Sequence, residues 1–183
     1  MALIDDLEAE VAALDAVLAD RDDVAWMTQT PAPGWSVADQ VIHLIIFDER
    51  CKWGISDPER FAEDLELIRS SGGFHAIEGN FLSLSPAFLR STWIDGAAEL
   101  REAGRRADPK ARCQWYGPSM SATSMLTARL METWAHGYDI CDALGITPVA
   151  TDRLKHVAHI GVNARAFAYA ANKMTMPDVP AVS

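Results

Sequence analysis

A leucine-rich stripe at helical spacing opens the chain and limits what it can fold into. Leu3, Leu7, Val11, Leu14 and Leu18 recur every three to four residues, and Asp and Glu fill the opposite face. Residues 2–21 therefore read as an amphipathic helix that needs other elements to cover its apolar side. The segment TPAPGW, with two prolines and a glycine, is a connector. Ser36 then stands as an N-cap with Asp39 at the capping-box position. That opens a helix from Val37 to about Trp53, with Gly54 in the C′ place. Asp57-Pro58 opens another helix over FAEDLELIRS, ended by Gly72-Gly73. Residues 74–84 read as irregular or as holding a short turn. Ser85-Pro86 starts a helix with Phe88, Leu89, Ile94, Ala97, Ala98 and Leu100 on its apolar side, and the polar stretch 101–112 closes it. Gly117-Pro118-Ser119 is the next start signal, for a long helix to Leu144 that Gly145 stops. A last helix spans roughly 151–173, after Thr147-Pro148. The tail MPDVPAVS has two prolines and no periodicity. There is no internal repeat and no convincing hairpin, so the expected class is all-α, an antiparallel bundle. The 183 residues suffice for one domain with a core. The boundaries expected are 1–175 for the bundle and 176–183 for a disordered tail or severed linker.

Charge narrows the function classes. The chain carries 26 acidic against 16 basic residues, a formal charge of −10. Nucleic-acid surfaces need a basic patch, so no nucleic-acid partner is expected. The acidic N-terminus lacks a basic n-region, and no apolar run reaches bilayer-spanning length. No membrane is expected as a partner, and the cytoplasm is the expected compartment. Cys51, Cys113 and Cys141 are far apart and make neither a Cys-x-x-Cys pair nor a disulfide framework. They read as small buried hydrophobes. An exposed apolar helix face would support a homodimer.

A polar stripe crosses one apolar segment. Glu132, His136 and Asp139 lie at i, i+4 and i+7 among Leu130, Met131, Trp134, Tyr138, Ile140 and Cys141. His43 sits inside the apolar run VIHLIIF. Polar groups directed into an apolar interior need partners. Residues at i and i+4 share a helix face, so Glu132 and His136 can reach one point, and His43 can join them from a facing helix. Two imidazoles and a carboxylate suit zinc, nickel or iron(II), and three protein ligands leave a position open. Asp139, one turn on, is placed either to accept the far N–H of a ligand histidine or to act as a surface acceptor. The competing reading pairs Glu132 with Arg129 and makes both histidines satisfied core residues. Two other metal patterns fail. The Glu-x-x-His pairs of a di-iron bundle and the His-Glu-x-x-His of a zincin are both absent.

Two segments carry a family resemblance. PGWSVADQVIHL resembles the second-helix signature of the DinB-like bundles, and ETWAHGYD their later ligand helix. The stretch GPSMSATSMLTARLMETWAHG is similar to the actinobacterial branch, the N-terminal domain of mycothiol-dependent maleylpyruvate isomerase and its relatives. The likeness runs over roughly residues 5–170. It implies an up-down four-helix bundle with additional short helices, holding a divalent metal, usually zinc, on His43, Glu132 and His136. It also implies a low-molecular-weight thiol, mycothiol, bound as a metal-coordinated thiolate that attacks a small electrophilic substrate. The family's isomerases have a second, C-terminal domain that helps form the active site, so their substrate is not carried over. The expected function is a thiol-dependent transferase or isomerase. The alternatives are a non-catalytic metal or small-molecule binding module and a purely structural bundle.

Further candidates lie on the last helix. His159, Asn163 and Arg165 are placed to hold a thiol cofactor or a carboxylate. His156 and His159 also fit the boundary of a basic helix with Arg153 and Lys155. Trp35, Trp53, Trp93 and Trp134 read as core residues.

Overall fold

Local capping chemistry sets the element boundaries along most of the chain. The computed structural model describes residues 2–71, 73–81 and 83–179. Helix α1, Ala2–Leu18, buries Ile4, Leu7, Val11, Leu14 and Leu18. A single turn, α2 (Asp23–Trp26), is capped by the Asp22 side chain accepting from the Ala25 amide, and it drops Trp26 into the core. The connector that follows folds back on itself. The Thr30 amide donates to the Trp35 carbonyl at 2.8 Å, and Gln29 bridges to Ser36.

Helix α3, Val37–Ser56, opens on a full capping box between Ser36 and Asp39. It runs past Gly54, which is not a C′ residue but a buried position inside the helix. A Cβ there would lie 2.9 Å from the Gln114 carbonyl oxygen and 3.4 Å from Met125 Cε. The glycine thus admits a neighbouring backbone rather than ending the helix. The stop comes at Asp57, because the proline after it disfavours helical backbone. Gly54→Ala should destabilise the fold by up to about 2 kcal/mol. A helix-propensity gain of about 1 kcal/mol is outweighed by overpacking of about 1–3 kcal/mol against a backbone carbonyl that cannot rotate away. Urea unfolding checks this, and a rise in stability would show that the contact relaxes freely.

Helix α4, Pro58–Ser71, and the short α5, His75–Glu78, follow. Gly72 of the expected stop lies outside the described residues, and Gly73 has φ +130°. Helix α6, Pro86–Arg106, is N-capped by Ser85 and buries Leu89, Trp93, Ala97 and Leu100. Phe88 and Ala98, expected on that face, point to solvent instead. Between α6 and the next helix the chain makes a two-stranded antiparallel ribbon. Strand β1 (Arg112–Cys113) pairs with β2 (Met120–Ser121), and Gly117-Pro118 forms its loop. Two residues per strand leave no alternation to read, so the ribbon escaped the expectation of no hairpin. Helix α7 therefore starts later than expected, at Ala122 on an N-cap of Ser121, and runs to Ala143. Gly145, at φ +66°, lets the Ile146 amide reach back to the Cys141 carbonyl at 2.8 Å. The last helix is broken in two, α8 (Leu154–Asn163) and α9 (Arg165–Ala171).

The long helices α1, α3, α6 and α7 form the bundle, α3 packing on α6 and α7, and α1 on α7 and α6. This is the all-α, four-helix architecture with additional short helices that the sequence leads one to expect. Among the described residues two ion pairs are buried in it. Arg129 Nε meets Asp48 Oδ1 at 2.9 Å between α7 and α3. Arg50 grips both oxygens of Asp64 at 2.8 and 3.2 Å, tying α3 to α4, and the Tyr116 hydroxyl donates to the same carboxylate from the ribbon loop. Among the described residues no helix is long and apolar enough to cross a membrane.

Candidate metal centre

Helices α3 and α7 pack face to face, and that contact brings the three sequence-nominated ligands together. His43 Nε2 lies 3.4 Å from Glu132 Oε2, and His136 Nε2 lies 3.1 Å from the same oxygen. One ligand atom from each residue fits within a mutual separation of 4.8 Å. Among the described residues, this is the group of three such side chains so arranged. All three are half-buried rather than sealed, and His43 and Glu132 line a cavity of about 190 Å³. Its other walls are Phe47, Trp115, Met120, Met125, Ala128 and Arg129, so an apolar chamber adjoins the polar triad.

The reading that pairs Glu132 with Arg129 fails on geometry, because Arg129 is committed to Asp48. Burial works against ionisation of Glu132. The hydrogen bonds to His136 and His43 and the nearby Arg129 charge overcome it and hold the carboxyl well below its usual range. Burial pushes His43 down, so its imidazole is neutral near pH 7. The site at that pH is an anionic carboxylate facing a neutral ring.

The partner of His136 is Gln40, not Asp139. Gln40 is fully buried and its Oε1 faces His136 Nδ1. A chain of hydrogen bonds fixes which way the amide points. The Thr30 hydroxyl donates to the Trp35 carbonyl at 2.8 Å, so its oxygen accepts from Gln40 Nε2 at 2.9 Å. Asp139 Oδ2 accepts from the same Nε2 at 3.3 Å. With both amide protons placed, Gln40 Oε1 can only accept, and His136 must carry its proton on Nδ1. Its other nitrogen, Nε2, faces Glu132 Oε2 at 3.1 Å, so a proton or a cation must lie between the two. Asp139 holds the glutamine rather than the histidine, so its expected direct contact with a ligand ring is corrected to an indirect one.

Two aromatic rings complete the setting. Trp35 stacks almost parallel to His136 at 5.9 Å and tilts against His43 at 5.3 Å. Phe47 contacts His43 at 4.4 Å. Trp35 is thus a wall of the site, not core. Trp134 is half-buried on the opposite side of α7, beside Tyr138 at 4.7 Å. Of the four tryptophans expected inside, Trp93 is fully buried, and Trp53 lies under the Arg50 and Arg60 guanidiniums.

Gln40 and Trp35 escaped sequence reasoning. Gln40 falls three residues before His43 on the same helix face, which is the one signal that could have marked it. The candidates on the last helices are placed elsewhere. His159 and Asn163 bond each other at 2.8 Å on the exposed side of α8. Arg165 donates to the carbonyls of Val179 and Pro177 at 2.8 and 3.3 Å, tying the start of the 176–183 tail to α9; residues 180–183 lie outside the described residues. His156 meets Asp6 of α1 at 2.7 Å. The three cysteines are free and buried and stand outside the triad.

The same arrangement of helices is found in solved proteins. The crystal structure of a mycothiol-dependent maleylpyruvate isomerase superposes with a TM-score of 0.65 at 15% identity, covering 94% of this chain and 72% of that one. A mutant of such an isomerase matches with a TM-score of 0.59 at 16% identity. In sequence, two uncharacterized proteins from strains of Mycobacterium tuberculosis, Rv0036c and MT0041, are each 40% identical over 177 residues. That alignment spans 96% of this chain and 69% of theirs. The model of the mycothiol maleylpyruvate isomerase N-terminal domain matches residues 7–141, a span that holds His43, Glu132 and His136. The chain therefore belongs to the mycothiol maleylpyruvate isomerase N-terminal domain family.

Proposed function

We propose that His43, Glu132 and His136 hold one divalent cation, zinc before nickel or iron(II), and that the protein uses it with a low-molecular-weight thiol on a small electrophile. The observation that carries the reading is the convergence of His43, Glu132 and His136, with the His136 Nδ1 proton already taken by Gln40. His136 Nε2 and the Glu132 carboxylate stand 3.1 Å apart, with the His43 ring 3.4 Å from the same oxygen. Acceptors facing one another repel unless a cation or a proton lies between them. The donor set is the nitrogen and oxygen mixture that zinc and its neighbours take, and three protein ligands leave room for an exogenous one. Held by His43, Glu132 and His136, a divalent ion would lower the pKa of a thiol and so supply a thiolate nucleophile near neutral pH.

The chain's own residues do the rest. Gln40 orients His136, and Trp35 and Phe47 keep water from the ring faces. The chamber beside the triad offers apolar contact to the body of a substrate. Membership of a family whose solved relatives are described as mycothiol-dependent isomerases supports mycothiol as the thiol and a transferase or isomerase reaction.

Elemental analysis of the purified protein tests the first half. About one zinc, nickel or iron per chain is expected, and the His43→Ala/His136→Ala double variant should hold none. Equal metal content in both proteins would place the ion elsewhere. Absence from both after reconstitution would mean that a proton serves the pair. Titrating thiol into the cobalt(II)-loaded protein tests the second half. A saturable change in the cobalt spectrum supports a thiol-dependent enzyme; no change leaves a metal-binding module.

A further inference from the structure

A second cavity among the described residues is larger than the one at the triad. It measures about 310 Å³ and lies across α7 from the metal centre. Trp134, Gly137, Tyr138 and Cys141 face it, and these positions sit roughly half a turn around the helix from Glu132 and His136. Helix α1 supplies a second wall with Leu14 and Val17, and the 146–154 connector supplies a third. The chain itself thus closes the cavity on three sides. Its volume falls at the lower end of small-ligand sites, about 300–1,000 Å³.

The polar groups of this cavity are few, and most are not engaged by the protein itself. Among the described residues, the Tyr138 hydroxyl, the Trp134 indole N–H and the hydroxyls of Thr147 and Thr151 have no hydrogen-bond partner. At one end Arg153 Nε meets Glu10 Oε2 at 2.6 Å, and both side chains are largely buried. The pair cancels its own charge and leaves the outer guanidinium nitrogens free as donors. The local charge is near zero while the protein as a whole carries −10. An anion would have to compete with Glu10 and enter against that field.

We propose that this cavity is a second, metal-independent site for one uncharged aromatic molecule that carries an oxygen acceptor, of the phenol or aromatic-ketone class. The apolar walls and the Trp134–Tyr138 pair take the ring. The free donors of Tyr138, Thr151 and Arg153 take the oxygen. Two sites then share one helix, ligands of the metal on one face and the aromatic pocket on the other.

The test uses 2-naphthol and 2-naphthoate as probes on protein labelled with nitrogen-15 at its tryptophans. Trp134→Phe assigns the Trp134 indole signal. 2-Naphthol should move that signal saturably, and 2-naphthoate should bind about tenfold more weakly or worse, a difference near 1.4 kcal/mol. Ala13 lines the cavity from an exposed position on α1, so Ala13→Phe fills the space without entering the core. It should abolish the shift while the other indole signals and the metal content stay unchanged. No saturable shift up to the solubility limit, or a shift that survives Ala13→Phe, overturns the site. Equal binding of the two probes overturns the uncharged ligand class. None of these readouts depends on whether the triad holds a metal.

Discussion

Asp48→Ala is expected to cost about 3–5 kcal/mol of folding stability, because it strands a buried guanidinium. Asp48 and Arg129 are 2% and 3% exposed and meet at 2.9 Å across the α3–α7 interface. Burial already pushes the Asp48 carboxyl up, so the pair holds together against desolvation rather than because of a comfortable setting. Arg129 Nη2 is buried without a partner even in the intact protein. Removing the carboxylate would leave a buried charge without its hydrogen-bonded counter-ion, with only the Glu132 carboxylate nearby. The double variant Asp48→Leu/Arg129→Met should recover most of the loss, since apolar groups of similar volume replace a buried pair at little net cost. Urea midpoints of the two single variants and the double variant settle the matter. A single-variant loss under about 1 kcal/mol, the range of exposed pairs, would mean that water reaches the interface.

Gln40→Leu should lower affinity for the divalent ion by about 10–100-fold, the usual effect of losing a group that orients a ligand histidine. The substitution removes the acceptor for the His136 Nδ1 proton. The imidazole is then free to place its proton on Nε2, the atom that faces Glu132. Competition with a metallochromic chelator measures the change. Asp139→Asn should lose less, because Asp139 acts on His136 only through Gln40. If Asp139→Asn proved the more damaging variant, the order of the hydrogen-bond chain would be wrong.

What could be read from the chain follows a physical pattern. Helix starts were legible because an N-cap declares itself within four residues, as Ser36 with Asp39 and Ser85 with Pro86 do. The ligand pair Glu132 and His136 was legible because helical spacing alone puts both on one face. Features made by contact between distant segments were not. Gly54 carries the sequence mark of a helix end, but its reason is the Gln114 carbonyl some sixty positions away. Arg129 had a local partner in Glu132 and took a distant one in Asp48. The last helices had the composition of a binding surface, yet His159, Asn163 and Arg165 satisfy one another and the tail.

The orientation of His136 is relayed through Thr30 and Trp35, which belong to an irregular connector rather than to the bundle. The orientation of His136 therefore depends in part on that connector. Segments with few backbone ladders open far below the global unfolding free energy. Each such opening would remove the Thr30 acceptor and leave Asp139 alone to orient the glutamine, while every long helix stayed intact. The lifetime of the oriented triad and the lifetime of the fold would then be separate quantities, the first depending in part on a short stretch of loop.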